Sequence, residues 1–328
     1  MSSELPKLSD RFQRDDEQRN TTSVSLTNTQ ESPMRIRSLA PWFGSKRMLA
    51  PRIVKELGHH SAYWEPFCGS MALLMAKQPS AQEHVNDLHG DLVNLARVIQ
   101  DRKLGPMFYR HVRRKLCSTY EYESAKKIIG DTEAEQHALD LDRAVSYFAM
   151  SWMGRNGISG TNNDKPGLSK NYAPGGGGGG RRYCSAEASI PAWRRRLQRP
   201  TILQEDGMSL LTRIVDQEGV AIYCDPPYLV KNAKYTHDFE DDTHRELAEK
   251  LTRFNQARVI VSYYEHPRID ELYPPNQWTK VDCIMNKNMA NQVKGEPQKA
   301  PEILLINGPS YTANQDATLF QASGKGDA

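Results

Sequence analysis

Short apolar strands alternate with amphipathic helices in two separate runs of this 328-residue chain, and that alternation leaves few folds open. In the first run, residues 45–57 place Met48, Leu49, Ile53, Val54 and Leu57 at helical spacing. A strand over 62–65 ends in Pro66-Phe67-Cys68-Gly69-Ser70, a helix follows over 71–77, and a strand over 83–87 leads to a helix over 91–100. The second run opens with a strand over 201–204, a helix over 208–215 and the apolar strand 220–224, which stops at Asp225-Pro226-Pro227-Tyr228. A helix over 243–254, a strand over 258–263, a short helix over 267–273 and late strands near 278–285 and 302–307 complete it. The pattern requires an α/β fold with a mostly parallel sheet, here of seven strands with an antiparallel last pair. Ligands bind such sheets at the carboxyl ends of the strands.

Residues 101–199 break the rhythm. Helical stretches are expected around 107–116, 120–129 and 133–152, followed by a loop holding Gly154, Gly157, Gly160, Gly167 and the six-glycine run 175–180. Each glycine loses maximal backbone entropy on ordering, so the run predicts a mobile hinge or tip rather than a helix or strand. Residues 1–36 and 309–328 show no apolar period and read as disordered tails. The expected organisation is therefore one domain built from 37–100 and 200–308, with an insert at 101–199.

Net charge is informative only when divided along the chain. The whole carries +3, but 102–199 holds 18 Lys and Arg against 9 Asp and Glu, a net of +9 that leaves −6 for the rest. A polyanion-binding insert in a near-neutral scaffold has this signature, although solvated helix faces also collect charge. No apolar run is long enough to span a membrane and the first thirty residues are polar, so neither a span nor a secretory signal is expected. Cys68, Cys117, Cys184, Cys224 and Cys283 are scattered and include no Cys-x-x-Cys pair, which argues against a disulfide framework or zinc ribbon; no metal is expected.

The turn Asp225-Pro226-Pro227-Tyr228 is the most specific chemical signal. Two prolines fix φ and donate no N–H, so the surrounding carbonyls are held in a rigid turn at the strand's end. A carboxylate and a backbone carbonyl beside an aromatic ring can accept both hydrogens of an exocyclic amine while the ring stacks on the base. An ordinary Asp-Pro turn would read the same from four residues alone. In the Glu65–Ser70 turn, small residues let a ligand approach a helix N-terminus, yet one glycine is not a dinucleotide fingerprint. Asp87 stands where an acidic residue can bond ribose hydroxyls, or where it simply caps the next helix.

Pro41-Trp42-Phe43-Gly44-Ser45-Lys46, Glu65-Pro66-Phe67-x-Gly69, Asn86-Asp87-x-x-x-Asp91-Leu92 and Asp225-Pro226-Pro227-Tyr228 occur in one order. That order resembles the Dam-like (D12 class) adenine-specific DNA methyltransferases, over about residues 38–307. Arg155-Asn156-Gly157, Tyr235-x-x-x-Phe239-x-x-x-x-His244 and the last strand Glu302-Ile303-Leu304-Leu305-Ile306-Asn307 are similar as well. Ser45, Ser70 and Met71 depart from glycines usual in that family, and the glycine run is not a family feature.

The resemblance implies a Rossmann-like S-adenosylmethionine-dependent methyltransferase sheet with an inserted, mainly helical target-recognition domain. Trp42, Lys46, Phe67, Gly69, Asp87, Asp206 and Asp225 would then line the cofactor site, and Asp225, Pro226 and Tyr228 the catalytic pocket. Expected partners are S-adenosylmethionine and double-stranded DNA, with no membrane and no metal, for a monomer acting in a prokaryotic or phage-like cytoplasm. Arg155 and Asn156 could touch bases, because Arg suits guanine and Asn suits adenine. Arg113, Arg114, Arg181 and Arg182, with Arg110, Lys115, Arg194, Arg195 and Arg196, are candidates for phosphate contacts, though each singly also fits a solvated charge. Trp152 and Trp193 read as buried core.

The expected chemistry is methyl transfer to the 6-amino group of adenine in duplex DNA, with base flipping and in-line displacement. Methylation of another exocyclic amine, on cytosine or RNA guanine, stays open beside it. So does a catalytically inactive DNA-binding relative. A nicotinamide-dependent dehydrogenase would need a glycine fingerprint that the chain lacks.

Overall fold

The protein is described from a computed structural model, which covers residues 34, 36–42, 44–131, 138–154, 167–169, 178–229, 239–283 and 301–313. The first run contains α1 (Ala50–Leu57), β1 (Ala62–Glu65), α2 (Ala72–Ala76), β2 (Gln82–Asn86) and α3 (Gly90–Gln100). The insert contributes α4 (Leu104–Arg114), α5 (Thr119–Asp131), α6 (Leu141–Met153), α7 (Gly179–Glu187) and α8 (Ile190–Leu197). The second run supplies β3 (Thr201–Leu203), α9 (Gly207–Arg213), β4 (Val220–Cys224) and α10 (Asp241–Thr252). It closes with β5 (Arg258–Tyr264), α11 (Ile269–Leu272), β6 (Thr279–Cys283) and β7 (Glu302–Ile306).

The described strands form one seven-stranded sheet in the order β3-β2-β1-β4-β5-β7-β6. Pairing is parallel from β3 through β5 and antiparallel where β7 inserts between β5 and β6. The mostly parallel sheet with an antiparallel last pair, expected from the alternation, is therefore present. Trp64 stands beside both His84 of β2 and Ile222 of β4, so the central strands finish at a common level. The strand order reverses between β1 and β4, and a crevice opens there above their carboxyl ends.

Side chains of β4 explain why it is central. Ala221 and Tyr223 enter one hydrophobic cluster while Ile222 and Cys224 enter another, as a period of two across a doubly covered sheet requires. The first cluster runs without a break into the insert. Phe148 of α6 meets Phe108, Tyr183 and Trp193 with ring centroids 5.7, 5.4 and 6.3 Å away. Trp152 and Trp193 are buried, and their indole N–H groups donate to the carbonyls of Leu39 and Ile36 at 3.1 and 2.6 Å. The insert helices thus share the core of the α1–α3 face rather than building a separate one.

Several boundaries differ from the sequence reading. The first helix starts at Ala50, with Pro51 in its first turn, and Met48 is 56% exposed instead of facing the core. The helix expected over 133–152 starts at Leu141, where the Asp140 carboxylate accepts from the Arg143 N–H at 2.8 Å. Among the six glycines, 175–177 lie outside the described residues, but Gly178 caps α7 and Gly179 and Gly180 form its first turn. A Cβ on Gly179 would come within 2.7 Å of the Met153 carbonyl, so close packing against α6 selects glycine there. Helices α7 and α8 were not anticipated. Residues 309–313, grouped with the tail by composition, are tied down: Glu56 accepts from the N–H groups of Tyr311 and Thr312 at 2.8 and 3.0 Å.

Arg196 is a further correction. It is buried, and its guanidinium grips both carboxylate oxygens of Glu83 at 2.7 Å while Lys77 holds the same carboxylate at 2.6 Å. This cluster joins α2, β2 and α8, and it withdraws Arg196 from any phosphate-binding surface. Among the described residues, no helix is long and apolar enough to cross a membrane.

Candidate functional site

A cleft open to solvent lies at the crevice between β1 and β4. Trp42, Lys46, Phe67 and Gly69 line it from the first run, together with Asp87 just beyond β2. Asp206 borders it from the β3 end, and Asp225, Pro226 and Tyr228 form its wall beyond β4. The tertiary fold thus brings together every residue that the sequence assigned to cofactor or catalysis.

The loop after β1 is fixed by hydrogen bonds from strand ends. The Asp87 carboxylate accepts from the Gly69 N–H at 2.7 Å and from the His89 N–H at 2.9 Å. Asn86 clamps the two neighbouring loops, donating to the carbonyls of Pro66 and Glu205 at 2.9 Å and accepting from the Glu205 N–H at 3.0 Å. Trp42 covers Gly69 so closely that a Cβ would lie 2.8 Å from the indole nitrogen. Met71 takes φ 58°, a left-handed conformation uncommon outside glycine, and its side chain is fully buried.

Asp206 caps α9, accepting from the Ser209 N–H at 2.9 Å, yet it stays exposed along the cleft. Directly after it, Gly207 lies so close to Phe67 that a Cβ would approach the ring at 2.5 Å. Phe67 in turn meets Phe239 edge-on, at a centroid separation of 5.7 Å.

Around the Asp-Pro-Pro-Tyr turn, three chain segments supply one ionic network. The Lys46 ammonium lies 2.7 Å from Asp225 Oδ2 and 3.2 Å from Glu302 Oε1, and it donates to the Gly44 carbonyl at 2.8 Å. The Tyr228 hydroxyl reaches Glu302 Oε1 at 2.9 Å and Asp225 Oδ1 at 3.2 Å. Lys46 also lies 5.0 Å from the centre of the Tyr228 ring, whose edge-to-face neighbour is Tyr264 at 4.4 Å.

Burial raises the Asp225 carboxyl to about 6, against the pull of Lys46. Burial works against the Lys46 charge too, but Asp225 and Glu302 outweigh it and hold the ammonium above its ordinary value. Glu65 is pushed up to about 8 by burial, and its carboxyl accepts the Tyr63 hydroxyl at 2.9 Å.

The expected DNA contacts divide. Arg155 and Asn156 lie outside the described residues, as does Tyr235. Arg110, Arg113, Arg114, Arg181 and Arg195 are exposed, with Arg113 lying 3.7 Å from Glu187. Arg182 is half-buried and donates to the Gly154 carbonyl, Arg194 donates to the Arg102 carbonyl at 3.4 Å, and Lys115 pairs with Glu121. His244 Nδ1 is 3.0 Å from the Tyr263 hydroxyl, behind the cleft.

Sequence reasoning gave no role to Glu302, Asn86, His89 or Gly207. Asn86 stands inside a quoted motif and could have been found there. Glu302 offered less: one carboxylate opening an apolar strand looks like any strand end.

Residues 42–286 match the family model described as D12 class N6 adenine-specific DNA methyltransferase. The chain is 27% identical over 295 residues to the retron Ec67 DNA adenine methylase of Escherichia coli, covering 83% of this chain and 91% of that protein. It is 22% identical over 288 residues to a DNA adenine methylase of Vibrio cholerae, covering 84% of this chain and 98% of the relative. Against the DNA N-6-adenine-methyltransferase of Escherichia phage P1 it is 24% identical over 249 residues, 72% of this chain but 31% of the phage protein.

Proposed function

From the premise that this chain belongs to the D12 class N6 adenine-specific DNA methyltransferases, an enzyme family, we propose that it methylates the 6-amino group of adenine in duplex DNA with S-adenosylmethionine. One observation carries the reading: two half-sites share one cleft. Asp87 and Asp206 stand at adjacent strand ends on one side, and the Asp225–Tyr228 turn stands on the other.

The residues present fit the cofactor. Asp87 and Asp206 offer carboxylate acceptors for ribose and adenine, Phe67 an apolar wall, and the close contact of Trp42 on Gly69 a narrow floor. When bound, S-adenosylmethionine supplies an electrophilic methyl group. The protein's own part is to position the amine. An aromatic amine is a weak nucleophile because its lone pair is delocalised into the ring. Hydrogen bonds from its two N–H groups to Asp225 and the Pro226 carbonyl favour a more tetrahedral nitrogen and aim the lone pair. Such alignment accounts for several kcal/mol of a typical barrier. Asp225 need not be a strong base, since the amine becomes acidic only after it gains the methyl group.

An amino group inside the base stack cannot reach the floor of this cleft, so the adenine must be flipped out, with the Tyr228 ring as its stacking partner. Residues 101–199 serve as the target-recognition insert on the catalytic scaffold of 37–100 and 200–308. Its exposed Arg110, Arg113, Arg114 and Arg181 supply phosphate contacts, and Arg155 and Asn156 base contacts. On this reading the protein works as a monomer on DNA in a bacterial or phage-infected cytoplasm.

The test is nucleoside mass analysis after incubating the protein with S-adenosylmethionine and either duplex DNA or RNA. N6-methyladenine in the DNA is expected. Methylcytosine or methylguanine without methyladenine would refute the assignment.

A further inference from the structure

We propose that Glu302 is a positioning residue for the methyl-transfer step: it takes the single hydroxyl hydrogen of Tyr228 and one N–H of Lys46, leaving Asp225 Oδ1 free to accept from the target amine. This inference rests on the proposed activity and adds a residue and a role to it.

Lys46 has three N–H groups and meets three acceptors, the Gly44 carbonyl, Asp225 Oδ2 and Glu302 Oε1, so its donors are all used and Asp225 Oδ2 is committed. Tyr228 has one hydroxyl hydrogen and two carboxylates within reach. Glu302 is the nearer at 2.9 Å and Asp225 Oδ1 the farther at 3.2 Å. With the hydrogen on Glu302, Oδ1 keeps its lone pairs for an incoming N–H. Without Glu302 the hydroxyl turns to Oδ1 and competes with the amine for it.

Secondary structure makes the arrangement rigid. Glu302 opens β7 and pairs in register with Tyr264 of β5, and the Tyr264 ring packs against that of Tyr228. One register position therefore fixes both the Tyr228 ring and the direction of its hydroxyl. Glu302 is nearly buried, with its side chain 10% exposed, so water competes little for these bonds.

Other titratable groups around Asp225 are Glu65, Cys224 and the phenols of Tyr223, Tyr263 and Tyr264. Burial holds the thiol and phenols neutral at working pH, and Glu65 is neutral below about 8. Lys46 and Glu302 are thus the charges that set how Asp225 titrates.

The experiment compares full-length wild type, Glu302→Ala, Glu302→Gln, Tyr228→Phe and the Glu302→Ala/Tyr228→Phe double variant in single-turnover methylation of duplex DNA across pH 4.5–9. Glu302→Ala leaves the Tyr228 hydroxyl with Asp225 as its remaining carboxylate acceptor and should lower the saturating rate about 10- to 100-fold, with the half-saturating DNA concentration changed less than about threefold. Glu302→Gln, whose amide oxygen still accepts the hydroxyl, should recover part of the loss. The acid limb of Glu302→Gln should move to lower pH, because removing a neighbouring negative charge favours the Asp225 carboxylate. In the Tyr228→Phe background Glu302→Ala should cost much less, since no hydroxyl remains to be misdirected. Equal losses from Glu302→Ala in both backgrounds would overturn the proposal. So would wild-type rates in Glu302→Ala. Titration of Asp225 by carboxyl carbon NMR in wild type and Glu302→Gln separates the two claims: wild type without methyladenine refutes the activity, whereas an unshifted Asp225 refutes the role of Glu302.

Discussion

Lys46 and Asp225 form a 2.7 Å ion pair, although one precedes the first helix and the other follows the fourth strand. The contact fastens the turn before α1 to the Asp-Pro-Pro-Tyr turn, and Glu302 of β7 shares the same ammonium at 3.2 Å. One buried cation thus serves two carboxylates, and the titration of Asp225 depends on it.

Replacing Lys46 by Met should move the acid limb of activity to higher pH. Asp225 stands at about 6 with the ammonium beside it, and activity that needs its carboxylate falls as pH drops through that value. Taking the cation away leaves Asp225 facing Glu302, raises its pKa further and shifts the limb upward, opposite in sign to Glu302→Gln. A kcat–pH profile at saturating S-adenosylmethionine would check this, and a limb that moved down would contradict it.

Asp225→Asn should separate chemistry from binding. Asn keeps the size but loses the charge that accepts the amine hydrogen, so methyl transfer should fall by at least about 100-fold. DNA affinity, which comes from phosphate contacts on the insert, should stay within about threefold. Single-turnover methylation and fluorescence anisotropy on one oligonucleotide measure the two quantities.

Glu65→Gln should stabilise the protein, and more so as pH rises. The Glu65 pKa is raised to about 8 in the folded state, so between the unfolded value of 4.5 and about 8 the folded chain binds more protons than the unfolded one. Stability therefore declines with rising pH across that window. Gln still accepts the Tyr63 hydroxyl and does not titrate. The difference between variant and wild type should grow by on the order of 2 to 3 kcal/mol from pH 5 to pH 8 in urea denaturation.

Two arginines of the basic insert should behave in opposite ways. Arg196→Ala strands Glu83 in the core with Lys77 as its remaining cation and should cost about 3 kcal/mol of stability, with the salt dependence of DNA binding unchanged. Arg113→Ala should leave the melting temperature within a degree or two and reduce the slope of log affinity against log salt by about one. Melting curves and salt titrations of both variants decide the matter.

Gly207→Ala should act on the cofactor side alone. The added Cβ would press on the Phe67 ring at 2.5 Å and meet the Pro66 carbonyl at 3.0 Å, so the cleft wall that both residues form must shift. KM for S-adenosylmethionine should rise about tenfold with little change in the rate at saturation. Isothermal titration would show the same weakening directly.

Much of this organisation was legible in the residues. The strand 220–224 matched the structure at both bounds, because an apolar run closed by Gly219 and by Asp-Pro-Pro leaves its ends no latitude. The cleft residues were legible because short motifs at strand ends occur in the order that the D12 class family shows, a resemblance that the family match bears out. Helix α7 was not, since its start lies within the glycine run, where Gly179 packs closely against α6. The role of Arg196 was equally hidden. Its surface-like pattern, Arg194-Arg195-Arg196, contains one residue that turns inward to a carboxylate 113 positions away.

The sequence by itself determined the alternation of strands and helices and the residues at the strand ends, and the resemblance of its ordered motifs pointed to the family. Periodicity and turn residues act locally, within a few positions, and can be read locally. The tertiary structure alone decided which charges meet. Glu302 beside Lys46 and Tyr228, Arg196 on Glu83, and Glu65 held neutral all depend on sheet order and burial. Electrostatic partners are chosen by distance in space and by exclusion of water, and neither is written in the spacing of residues along the chain.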